Sequence, residues 1–280
     1  MDVRLQLSLI FEDTMRFIRS TPMLSVASAS SVMNTVLYPE GKTPALPDGR
    51  PFGTDISVTK ERSFQAAIRL RKDYPDAKIA VHNFASATNP GGGVTRGARA
   101  QEECLCRYST LYPSLATPVL RESYYGFHRN RHDVRYTDAC IYTPDVIICK
   151  SDTDFPERLP QQEWVTVDIL TCAAPNLREK PYNAMNPGSG KPVQLSGDDL
   201  YSLHLKRARH LLSVAAANQD EIIVLGAFGC GAFRNDPAVV AKAYKDVLPE
   251  FHGLFRHICF AVFCTDRELR NYQAFSEALQ

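Results

Sequence analysis

Two adjacent carboxylates, Glu102 and Glu103, follow a run of three glycines in the stretch NFASATNPGGGVTRGARAQEECLC, residues 83–106. Gly91-Gly92-Gly93 and Gln101-Glu102-Glu103 are separated by seven residues. A carboxyl can give and take a proton, and glycine lets main-chain N–H groups approach a ligand with no Cβ in the way. The combination suits acid–base chemistry on a substrate held by backbone donors. Neighbouring residues on a helix point about 100° apart. The two glutamates therefore cannot face each other across a bond as paired glycosidase carboxylates do at about 5–9 Å. If both work, one holds a hydroxyl while the other protonates a leaving oxygen. Two solvated acids in the first turn of a helix would also be stable there, and the pair alone leaves that open.

A second glycine-rich turn lies in VLGAFGCGAFRND, residues 224–236, where Gly226, Gly229 and Gly231 follow an apolar run. Asp236 suits a helix N-cap and Pro237 the first helical position. Phe228 and Phe233 are available to stack on a sugar or base. The glycine spacing is not that of a dinucleotide fold. Two such loops in one chain suit a diphosphate, which needs donors on both sides. Other segments carry less. GSGKP (188–192) lacks a P-loop, because Met185 stands at the first glycine position and Pro192 replaces the Ser/Thr. Cys104 and Cys106 read as helix packing, and Cys230 has no basic partner near it in sequence. The histidines are read as unpaired for metal binding, so neither a metal nor a cofactor is expected. RESYYGFHRNRHDVRY (121–136) reads as a solvated basic helix and loop.

These residues must be positioned by regular elements. Helices are expected over 8–20, 59–74, 99–115, 118–128, 196–219, 237–249 and 266–279, and an irregular stretch from 20 to about 55. Apolar runs at 78–85, 140–149, 164–172, 221–228 and 257–264 read as strands covered on both faces. The alternation predicts an α/β chain, a three-layer α/β/α mixed sheet. Residues 1–55 read as a helical extension packed on a core of residues 56–280, the whole forming one structural unit. The segment 174–197 is a long loop of its own, and loops of that length inside a compact domain are usually functional or mobile. The 280 residues carry 44% apolar and 22% charged side chains, ordinary for a globular domain. Lys+Arg and Asp+Glu balance at 32 against 31, so an anionic ligand must be caught by local geometry rather than a global field. No apolar run is long enough to span a bilayer and no signal peptide is evident, so no membrane partner is expected. The eight cysteines form no CxxC pair and read as reduced packing residues of a cytoplasmic protein.

GGGVTRGARAQEE resembles the GGG-x(6–8)-QEE signature of poly(ADP-ribose) glycohydrolases. GCGAFRND is similar to that family's diphosphate loop, and NFASATNPGGG and TCAAPN are similar to segments of its compact bacterial and fungal type. The likeness runs from about residue 20 to the C-terminus. It implies a macrodomain fold and a glycosidase that cleaves ribose–ribose O-glycosidic bonds in ADP-ribose chains, reversing ADP-ribosylation. It implies Glu103 as the general acid, needing a raised pKa, and Glu102 as holder of ribose hydroxyls. Gly91, Gly92, Gly93 and Gln101 would contact the substrate. Gly229, Cys230, Gly231 and Ala232 would form the second diphosphate loop, with Phe233 on the reacting ribose and Asn83 orienting the site. The expected partners are poly(ADP-ribose) or ADP-ribosylated macromolecules, with ADP-ribose as product and a monomer as the acting form. Hydrolysis of mono-ADP-ribosyl groups, or ADP-ribose binding without catalysis, would use the same loops.

Overall fold

The runs IAVHNF, VTVDILTC, IIVL and HICFA are rich in β-branched and aromatic residues with almost no polar interruption, which suits strands buried on both sides. The structure, a computed structural model, describes residues 2–182 and 190–280. Its main elements are, in order, α1 (Val3–Ser20), α2 (Pro22–Asn34), β1 (Val36–Tyr38), β2 (Asp55–Thr59), α3 (Ser63–Asp73) and β3 (Ile79–Phe84). Four short helices follow, α4 (Gln101–Tyr108), α5 (Leu111–Leu115), α6 (Pro118–Leu120) and α7 (Phe127–Arg131). The chain continues with β4 (Cys140–Ile148), β5 (Val165–Cys172), α8 (Gly197–Ala217), β6 (Ile222–Leu225), α9 (Pro237–Val247), β7 (His257–Ala261) and α10 (Arg270–Leu279).

The strands form one mixed sheet in the order β1-β4-β5-β3-β6-β7-β2. From β5 to β2 all neighbours are parallel, while β4 and β1 add antiparallel pairs at one edge. Because side chains alternate across a strand, Ile79 and Val81 enter a core with Phe64, Leu70, Leu105 and Leu111. Ala80, Leu225 and Phe260 enter the opposite core with Leu211, Val240, Tyr244 and Phe275. The three-layer α/β/α arrangement is therefore as expected.

Several local expectations need correction. The stretch 20–55 contains α2 and β1. No apolar stripe marks α2, which buries Leu24, Ser28 and Ser31. It docks through a hydroxyl, Ser31 Oγ donating to the Asp145 carbonyl at 3.1 Å. The helix expected over 99–115 breaks at Ser109 and Thr110, whose backbone turns to the β4 edge; Thr110 N–H donates to the Ile147 carbonyl at 3.0 Å. A π-helical turn, Arg121–Gly126, joins α6 to α7. Residues 121–136 are not simply a solvated face, since Tyr124, Tyr125, His128, Val134 and Tyr136 are buried. Pro22 opens α2 at its first position, as its fixed φ favours. Among the described residues no helix is long and apolar enough to cross a membrane. The middle of the 174–197 loop, including Met185, Gly188 and Ser189 of the rejected P-loop segment, lies outside the described residues.

Candidate active site

β3 and β6 are parallel neighbours, so the loops that leave their carboxyl ends emerge side by side. That is where open α/β sheets commonly bind ligands. In the first loop, Gly91 and Gly92 take left-handed φ values of 64° and 58°. A Cβ on Gly92 would lie 2.4 Å from Glu103 Oε1 and 3.1 Å from Glu102 Oε2. Glycine is needed here because the backbone runs directly over the two carboxyls. Glu103 Oε1 accepts from the Gly93 N–H at 2.8 Å, and Glu102 Oε2 accepts from the Ser86 N–H at 2.7 Å. The loop thus wraps the first turn of α4 and draws both acids toward it. They converge rather than serving separate faces.

Both acids are buried, with 2% of Glu102 and 8% of Glu103 exposed, which removes the solvated-acid alternative. Each keeps one buried oxygen with no hydrogen-bond partner among the described residues, Glu102 Oε1 and Glu103 Oε2. Burial first, and the Glu103 charge second, push the Glu102 carboxyl well above the ordinary carboxylate range; the Ser86 amide and Asn83 pull the other way.

Gln101 braces this corner. Its Oε1 accepts from the Phe84 N–H at 2.9 Å, and its Nε2 donates to Ser63 Oγ and the His82 carbonyl at 3.0 and 2.7 Å. The side chain that opens α4 is thereby tied to the end of β3 and the start of α3. Asn83 is fully buried, donates to Thr171 Oγ1 at 3.1 Å and leaves Oδ1 without a partner among the described residues. Gly91 is backed by the Tyr112 ring and the Cys106 sulfur, consistent with a packing role for Cys106.

The second loop leaves β6 through Gly226. Gly229, with φ 78°, presses against Ala174 and Asn235, whereas the space around Gly231 is open. Asp236 caps α9 by accepting from the Ala238 N–H at 2.9 Å, with Pro237 at the first position, as the sequence indicates. Asn235, which sequence reasoning passed over, holds the loop together. Its Nδ2 donates to the carbonyls of Pro175, Phe233 and Gly229 at 2.7, 3.1 and 3.2 Å, and its Oδ1 accepts from His204 Nε2 at 2.7 Å. Phe228 borders the cavity but turns little of its ring toward it. It is 1% exposed, with its ring 4.4 Å from His82 and 5.6 Å from His204. Cys230 turns its thiol inward, and burial followed by the Asp236 charge pushes it well above the ordinary thiol range, so it is no nucleophile.

Between the loops lies a cavity of about 740 Å³, a size suited to a nucleotide-like ligand. Gly92, Gly93, Gln101, Glu102, Glu103, Gly229, Gly231, Ala232 and Phe233 line it. Asn83, Gly91 and Cys230 are not on its wall and stand behind the lining residues. Tyr136, Asn176 and Arg178 also line it and were missed. Their signal was topological: TCAAPN leaves β5, the strand on the other side of β3, at the same end of the sheet. The left-handed Tyr136, with φ 55°, carries no sequence mark of its own.

The histidines are not all unpaired in sequence, since His128 and His132 stand four apart. His128 cannot serve a metal there, because Nδ1 donates to the Tyr124 carbonyl at 2.8 Å and Nε2 bonds Thr137 Oγ1 at 2.9 Å. Among the described residues no group of three or more His, Cys, Asp or Glu is arranged to hold a metal ion.

Residues 18–151 match the family model described as microbial-type PARG, catalytic domain. The fold is similar to that of poly(ADP-ribose) glycohydrolase from Thermomonospora curvata, with 32% identity, a TM-score of 0.82, and coverage of 99% of this chain and 100% of that one. The same enzyme bound to the inhibitor ADP-HPD is 32% identical, with a TM-score of 0.79 over 98% and 99% of the two chains. The Deinococcus radiodurans poly(ADP-ribose) glycohydrolase in complex with ADP-ribose is 36% identical, with a TM-score of 0.74 over 90% of this chain and 97% of that one. No match was found among curated proteins. The tandem glutamates over the glycine loop and the likeness along nearly the whole chain lead to one conclusion: this protein belongs to the microbial-type poly(ADP-ribose) glycohydrolase family.

Proposed function

We propose that the protein hydrolyses ribose–ribose bonds of poly(ADP-ribose), from the free end of the chain, and releases ADP-ribose. The observation that carries this reading is the convergence of two buried carboxyls on Gly92, each with one oxygen bound to a loop amide and one oxygen unpartnered. A reader of ADP-ribose that performs no chemistry has no use for a second buried acid, whose desolvation is costly. The glycine loop of residues 229–232 supplies neutral N–H donors to the diphosphate, and Phe233 covers the reacting ribose. The loop of residues 91–93 spends its Gly92 and Gly93 amides on Asn89 and Glu103 and lets the substrate approach the acids. Gln101, on the wall, and Asn83, behind it, fix α4 and β3.

Glu102 holds hydroxyls of the leaving-side ribose. Glu103 gives a proton to the leaving ribose oxygen as the bond from that oxygen to the anomeric carbon breaks. The oxocarbenium-like centre then takes a water oriented by the substrate diphosphate, and the water's proton returns to Glu103. Burial favours a proton on Glu102, whose carboxyl converges with that of Glu103 on Gly92. Neither a metal nor a cofactor enters this scheme, and the acting form is a monomer. We place it in the cytoplasm, in keeping with eight free cysteines. We also treat residues 1–55 and 56–280 as one unit, since β1 pairs with β4.

The test is incubation with radiolabelled poly(ADP-ribose) and, separately, with mono-ADP-ribosylated protein. Release of free ADP-ribose from chains supports the reading. Release only from the mono-modified protein would move the substrate to single units, and tight binding without release from either would make the protein a reader.

A further inference from the structure

The second glycine loop answers a doubly charged diphosphate with neutral donors, yet a cation stands at the edge of the same cavity. Arg178 lines it and has no carboxylate within ion-pair distance among the described residues, while its neighbours Glu179 and Arg234 pair with each other at 3.0 Å. Its guanidinium is not loose. Nε donates to Asn176 Oδ1 at 3.0 Å and Nη2 to the Pro181 carbonyl at 3.2 Å, and the group lies 5.6 Å from the centroid of the Phe233 ring. Asn176 is itself buried.

The segment that carries Arg178 is fastened to the second glycine loop at two further points. The Leu177 N–H donates to the Phe233 carbonyl at 3.0 Å, and Asn235 Nδ2 donates to the Pro175 carbonyl at 2.7 Å. Arg178 therefore keeps a fixed place relative to the loop that would hold phosphate. Among the described residues no hydrogen bond uses Nη1, so a charged donor remains for an anion. A planar, permanently charged donor pinned in this way suits phosphate oxygens.

We propose that Arg178 is a substrate-binding residue that supplies the positive charge for the diphosphate of the bound ADP-ribose unit. This rests on the reading of the site as an ADP-ribose site. It assigns the 174–182 segment a binding role that neither glycine loop can fill.

The experiment is isothermal titration of ADP-ribose into the wild type and into Arg178→Gln and Arg178→Lys, at low and high salt, with thermal melts of each. Arg178→Gln is expected to bind ADP-ribose about ten- to a hundredfold more weakly, the range of a charge-assisted hydrogen bond. Its binding should also lose less affinity between low and high salt than that of the wild type. Arg178→Lys, which keeps the charge without the fork, should recover part of the loss. If Arg178→Gln folds and binds ADP-ribose as the wild type does, the proposal fails while the reading of the site stands. Unchanged ADP-ribose affinity with slower turnover of chains would equally overturn it, placing the charge on a unit beyond the scissile bond. If the wild type itself binds no ADP-ribose, the reading of the site has failed.

Discussion

Glu102 is kept at 2% exposure by a loop that gives it one hydrogen bond, an arrangement that costs stability. Its carboxyl ionises more readily in the unfolded chain, because burial and Glu103 hold it above the ordinary range in the fold. The native state is therefore favoured at low pH and loses that advantage as pH rises above about 4.5, the ordinary glutamate value. Glu102→Gln, neutral at every pH, should gain on the wild type as pH rises, by roughly 1 kcal/mol near pH 8. Urea midpoints at pH 5 and pH 8 check this, and an equal difference at the two pH values would refute it. The tandem glutamates were legible in sequence because residue type and spacing carry them. Their convergence was not, since it depends on a glycine loop that folds back onto α4 through Ser86 and Gly93.

At the scale of elements, the two loops use glycine for different reasons. At Gly92 a methyl would meet Glu103 Oε1 at 2.4 Å on a left-handed backbone, whereas at Gly231 it would meet nothing within 4 Å. Gly92→Ala should lower kcat by at least about a hundredfold through a displaced acid, and destabilise by about 1–2 kcal/mol through backbone strain. Gly231→Ala should leave stability within about 0.5 kcal/mol. Parallel melts and initial rates separate the two, and equal losses would remove the distinction. Asn235→Ala should cost about 2–3 kcal/mol, because three loop carbonyls lose a donor and His204 loses its acceptor. A chemical-denaturation curve within about 0.5 kcal/mol of the wild type would show that the loop holds without it. The cap at Asp236 could be read directly from an Asx-Pro pair. The roles of Asn235 and Arg178 could not, since their partners lie on segments brought together only by the sheet.

Across the whole molecule, the glycine loops occupy one end of the sheet and a polar cluster the other. Asp168 Oδ2 accepts from Tyr142 Oη at 2.5 Å and pairs with Lys78 Nζ at 3.0 Å, and Asp220 lies 3.4 Å from the same hydroxyl. Burial first and the Asp168 charge second hold Asp220 well above the carboxylate range, so its stabilising protonated form is lost as pH rises. Asp220→Asn should flatten the decline of stability as pH rises above about 4, the ordinary aspartate value; denaturation curves that fall as steeply as the wild type over that rise would count against it. The layered fold was legible because strands covered on both faces read as continuous apolar runs. The exception, α2, docks through Leu24 and the Ser31 hydroxyl and left no apolar period to find. The account stands most directly on Glu103: wild type and Glu103→Gln should be compared for ADP-ribose release from labelled chains and for ADP-ribose binding. Glu103→Gln should bind ADP-ribose with near-normal affinity and cleave it from chains at least about a hundredfold more slowly. Near-normal release by Glu103→Gln, with loss in Glu102→Gln instead, would contradict it.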